Sequence, residues 1–93
     1  MNQLRYHLYP SNELHGGAHD MKVIVTEVGV PDAIVCERVS FGSSCRYEAF
    51  PRYPPGLLLE VDWETAARHV AGGRGQLPNP NELVHMFDRH RSG

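Results

Sequence analysis

The sequence predicts an α+β fold, a mainly antiparallel sheet of four to five short strands with two C-terminal helices packed on one face. Three observations predict it. Strand-like runs broken by turn formers fill the first two thirds of the chain, and MKVIVTEV, 21–28, is dense in β-branched residues. Helical spacing of apolar residues begins only after Asp62. Strands first and helices last segregate the two element types, which is the mark of an α+β layer arrangement. Residues 1–93 form a single small domain.

The elements follow in order. LRYHLY, 4–9, alternates apolar and polar residues and suits a short strand. PSNELHGGAHD, 10–20, is rich in turn formers and reads as a loop. MKVIVTEV is apolar at nearly every position, as in a central strand covered on both faces. GVPD breaks it. AIVCERVSF, 33–41, and CRYEAF, 45–50, form a hairpin whose turn is expected at GSS, 42–44. That turn faces Val35, Val39 and Phe41 toward Ala49, Tyr47 and Cys45, and sets Arg38 opposite Glu48. PRYPPG, 51–56, has three prolines and cannot be a paired central strand. LLLEVD, 57–62, is the last strand.

Asp62 is placed to cap a helix whose apolar stripe is Trp63, Ala66, Ala67 and Val70. Gly72 fits the position just past its end. In NPNEL, Asn79 is the N-cap of the second helix, Pro80 its first residue and Glu82 its third. Leu83, Met86, Phe87 and His90 make the inner face, and Arg89 and Arg91 complement the dipole at the last turn. Trp63 is expected to contribute most to the helix–sheet interface.

Hydrophobic residues make up 41% and charged residues 22%, a globular balance. No apolar run reaches the roughly 18 residues of a membrane span, and MNQLRYHLYP lacks the pattern of a secretory signal. A net charge of −2 with interspersed signs does not favour nucleic acid, which calls for a concentrated basic patch. In the expected hairpin register Cys36 and Cys45 point to opposite faces. In the alternative two-residue turn they lie about 13 Å apart along the strands. Both exceed the reach of a disulfide. The thiols are therefore expected free, in a reducing, cytoplasmic compartment.

Four segments carry candidate chemistry. His15, His19 and Asp20 offer three ligands to a metal such as zinc, with His7 as a fourth. A double glycine between the histidines is a poor platform for fixed ligands, so the reading set against it is a solvated loop. GGRGQLPNP, 72–80, would let backbone amides and Arg74 hold an anion, but it follows a helix rather than a strand and equally reads as an interhelix loop. Cys36 and Cys45 lie in strands, away from any histidine that the sequence can place beside them, and no catalytic residue is assigned. CRYEAFPRYPPG, 45–56, gathers Arg46, Phe50, Arg52 and Tyr53 beside stiffening prolines, and Tyr and Arg dominate interface hot spots. In this segment Tyr47 is expected in the core, and Arg52 and Tyr53 at the surface.

The expected function is binding. The chain reads as a small intracellular inhibitor or adaptor of another protein or protein complex, of the kind phages and mobile elements encode, with no catalysis and no cofactor of its own. Its partner-binding residues are Arg46, Phe50, Arg52 and Tyr53. The alternative is a small metal-dependent enzyme or metal-binding protein using zinc at His15, His19 and Asp20. A third reading is a homodimer paired through an exposed sheet edge, at the first strand or at 45–50. Nucleic acid and membrane are not expected partners.

Overall fold

A computed structural model of the chain describes residues 3–10, 21–39, 42–50, 53–70 and 76–92. Among the described residues five strands form one antiparallel sheet: β1 (Leu4–Pro10), β2 (Met21–Glu27), β3 (Asp32–Val39), β4 (Gly42–Ala49) and β5 (Leu59–Val61). Their order across the sheet is β4-β3-β2-β1-β5. Two helices follow, α1 (Trp63–Val70) and α2 (Pro80–Ser92). The α+β architecture is as the segregation of patterns predicts.

β2 is the central strand because its side chains are apolar in both directions. Val23 and Val25 point to the helices, Ile24 to the opposite face, and all three are fully buried. Burying such a side chain contributes roughly 1.5–3 kcal/mol. β2 turns into β3 through Val28 and Gly29. Gly29 has φ +87°, where a Cβ would be strained, and Val30 N–H donates to the Glu27 carbonyl at 3.0 Å.

On the helix-covered face, Tyr6, Leu8, Val23, Val25, Ile34 and Cys36 meet Ala66 and Val70 of α1 and Leu83 and Phe87 of α2. The i, i+4 spacing of each helical pair explains how a short helix seals a sheet. Both caps form. Asp62 Oδ1 accepts from Thr65 N–H at 2.8 Å, and Asn79 Oδ1 accepts from Glu82 N–H at 2.9 Å. The Glu82 carboxylate in turn takes a bond from the Asn79 side-chain amide. Trp63 is only partly buried, with its indole N–H donating to the Pro78 carbonyl at 2.9 Å. Among the described residues the largest fully buried side chain is Phe87 of α2, while Trp63 packs against the same core from α1 and stays partly exposed.

The opposite face has its own smaller core. The chain leaves β4 and crosses the sheet to β5, and Phe50, Tyr53 and Leu58 of that crossing pack on Ile24, Ala33 and Val35. A short 3₁₀ turn, Pro55–Leu57, ends the crossing. Tyr53, expected at the surface, is 5% exposed, and Tyr47, expected in the core, is 38% exposed. Tyr47 is exposed because β4 is an edge strand, and Tyr53 is buried because it packs with Ile24, Ala33 and Val35.

The hairpin register also differs from expectation. Val39 pairs with Gly42, so GSS opens β4 instead of forming the turn. Arg38 faces Ser43 in place of Glu48, a shift of five residues along β4. An odd shift reverses every side chain of the strand. Cys36 and Cys45 thus lie directly opposite on one face, Cα atoms 4.1 Å apart, joined by a disulfide. The expectation of free thiols is overturned, and with it the argument for a reducing compartment. Glycine and serine suggested a turn at 42–44, but this register buries Cys36 on the helix face and pairs Ile34 with Tyr47. Of the two expected edge strands, the one at 45–50 is an edge, as β4, and the first strand is not. β1 sits between β2 and β5, and the edges are β4 and β5. No described helix is long and apolar enough to cross a membrane.

Candidate functional site

Alternation along the strands sends Arg46 and Glu48 of β4, Glu37 of β3 and His7 of β1 to the face opposite the helices. There the Arg46 guanidinium donates to the carboxylates of both Glu37 and Glu48. Glu48 also accepts from the Tyr53 hydroxyl at 2.8 Å. Each group in this chain orients the next, and Tyr53, itself buried, ties the whole to the crossing segment. The Tyr53 ring meets Tyr9 edge-on, with centroids 5.0 Å apart, and Phe50 lies 5.7 Å from the His7 ring. At the far side of the same face Arg5 and Glu60 form two hydrogen bonds, at 2.6 and 3.1 Å. That pair holds the Glu60 carboxyl below its ordinary range. Burial holds the His7 imidazole below its usual 6.5, against the opposing pull of the Glu60 carboxylate.

Of the residues expected to meet a partner, Arg46 and Phe50 share this face, and the Arg46 side chain is 39% exposed. Tyr53 shares the face but is anchored beneath the crossing. Arg52 lies outside the described residues, as do His15, His19, Asp20 and Arg74. Among the described residues no group of three or more His, Cys, Asp or Glu side chains converges as metal ligands would. His7 instead contacts Thr26 Oγ1 at 3.5 Å and Phe50.

A second cluster joins the end of α2 to the sheet. His90 Nε2 lies 2.7 Å from Asp32 Oδ2, and its ring stacks on Tyr47 with centroids 4.0 Å apart. The Tyr47 hydroxyl donates to the Met86 carbonyl at 2.9 Å. Arg91 pairs with Asp88 on its own helix and with Glu27 of β2 at 3.0 Å. Glu27 is 4% exposed, and its second oxygen has no hydrogen-bond partner among the described residues. An aspartate orienting a histidine is half of a nucleophilic arrangement. The ring's other neighbour, Tyr47, has its hydroxyl already committed to a main-chain carbonyl. The cluster clamps helix to sheet. Sequence reasoning passed over Glu27 and Asp32, and assigned Arg91 to the helix dipole alone. The available signal was a single acid inside the apolar run MKVIVTEV.

An open groove of about 250 Å³ runs between α1 and the segment before α2, lined by Trp63, Ala67, Arg68, Gln76 and Leu77. It is smaller than the roughly 300–1,000 Å³ of typical small-molecule sites. Compared with known proteins, the chain matches no family model, no curated sequence and no solved structure.

Proposed function

We propose that the chain is a protein-binding module, an inhibitor or adaptor of a macromolecular partner of the kind phages and mobile elements encode. The observation that carries this reading is the sheet face away from the helices. Its edge-strand arginine, Arg46, is held in place before any partner arrives, by Glu37 and Glu48, and Glu48 is itself braced by buried Tyr53. A side chain already ordered loses little freedom on docking, where an immobilised flexible side chain otherwise costs about 0.5–1.5 kcal/mol. Arg46 and the exposed edge of Phe50 are the contacts, joined by Arg52 from the same segment. Tyr53 is the brace beneath them.

Affinity capture from cells of the organism that encodes the chain tests this, with parent and Arg46→Ala/Arg52→Ala baits shown by circular dichroism to be folded. The expected result is a protein enriched by the parent and depleted at least tenfold by the variant. Equal enrichment by both baits would move the contact surface elsewhere. A parent that enriches nothing over an unrelated bait of similar charge would remove the proposal.

A further inference from the structure

Of the two sheet edges, β5 is three residues long and β4 is eight. Short edges are a common protection against strand pairing, as are proline, lysine and bulges. β4, GSSCRYEA, has no proline and no lysine, and it pairs with β3 in unbroken register from Gly42 to Ala49.

Two observations show which main-chain groups β4 turns outward. The 4.1 Å Cα separation at Cys36–Cys45 is that of a non-hydrogen-bonded antiparallel pair. Phe50 N–H donates to the Pro31 carbonyl at 3.2 Å, which places even-numbered residues against β3. Ser43, Cys45, Tyr47 and Ala49 therefore direct their N–H and C=O groups away from the sheet. The side chains of Arg46 and Glu48, between them, stand on the face away from the helices.

We propose that β4 pairs antiparallel with β4 of a second copy of this chain, about a two-fold axis at Tyr47, to form a continuous ten-stranded sheet (about twice the five strands of one copy). The charges select this register. With Tyr47 opposite Tyr47, the Arg46–Glu48 pair of one copy meets that of the other head to tail, Arg46 beside Glu48 and Glu48 beside Arg46, so symmetry joins two existing ion pairs into one alternating network. An axis at Arg46 would set arginine against arginine, and an axis at Glu48 would set glutamate against glutamate. An axis at Cys45 would leave both charges opposite Ser44 and Gly42. In the Tyr47 register the outward main-chain groups of Tyr47, and of Cys45 with Ala49, exchange both of their bonds. α2 stands over β4, because Met86 and His90 contact Tyr47. The axis therefore brings the two α2 helices side by side above the joined sheet.

Sedimentation of the purified chain across a concentration range, with no other protein present, tests this apart from partner capture. The parent is expected to reach dimer mass as concentration rises. Ala49→Pro removes an outward N–H and leaves the bonds to β3 intact, so it is expected to sediment as a monomer with unchanged circular dichroism. Arg46→Glu sets like charges opposite each other and is expected to weaken the dimer about tenfold. Adding Glu48→Arg to it restores complementarity and the dimer. Where Ala49→Pro does not fold, the charge series carries the test. A parent monomeric at every concentration overturns the proposal, as does a dimer indifferent to both single substitutions. A dimer broken by Arg46→Glu and not restored by the swap overturns the register.

Discussion

His7 shows how one side chain records its place in the fold. It lies at the middle of β1, 9% exposed, against Phe50 on the face away from the helices. Burial disfavours its charged form, so the folded chain resists a proton that the unfolded chain accepts near pH 6.5. The stability this gives is complete above that pH and is lost as pH falls through the lower folded value. Urea midpoints measured from about pH 7.5 down to about pH 5 are therefore expected to decline, and His7→Gln to flatten part of the decline. Identical slopes in the two proteins would refute this account of His7. Glu27 makes the complementary point. Its burial is bearable because Arg91 reaches it from α2, and loss of one partner leaves a buried charge alone. No sequence pattern announced that pairing, because Glu27 and Arg91 meet only when the helix lands on the sheet.

At the scale of elements, local chemistry and pairing behave differently. The helices start where their caps predict, at Asp62 and Asn79, because a cap is satisfied within three residues of itself. The β3–β4 hairpin does not start where its glycine and serine predict, because its register is decided across the sheet. The disulfide locks that register. It closes a loop with a sequence separation of 9, for which chain-entropy estimates give about 2–3 kcal/mol of stabilisation. Cys36→Ala/Cys45→Ala is expected to lose about that much in denaturant unfolding and to ignore added reductant. The parent should fall to the same level once reduced. A parent whose unfolding midpoint and mass are unchanged by reductant would count against the bond.

For the whole molecule, one helix layer and one crossing segment enclose the sheet from two sides. The two cores share the walls of β2 and β3, where Val25 and Ile34 face the helices and Ile24 and Val35 face the crossing. They should melt together. A domain of this size has a net stability of about 5–10 kcal/mol, and Phe87→Ala removes about 3–5 kcal/mol of it. Thermal unfolding of that variant is expected at a much lower temperature, and as one transition in both far-ultraviolet circular dichroism and Trp63 fluorescence. Since Trp63 is the only tryptophan and sits on α1, separate transitions would show that the helix layer comes off alone.

Taken alone, the amino-acid order determined the fold class, the strand and helix segments to within a few residues, both helix caps, a central strand at MKVIVTEV covered on both faces, and the inner face of α2 at Leu83 and Phe87. These depend on neighbours within one or two turns of chain, where spacing and residue type act directly. Tertiary structure alone decided that Cys36 meets Cys45, that Tyr53 is anchored while Tyr47 is exposed, that Glu27 is neutralised by Arg91, and that β4 rather than β1 is an edge. Each of these depends on which distant strand or helix lies alongside. A period-two pattern is unchanged by sliding a strand two residues, and it carries no record of which neighbour the strand will meet.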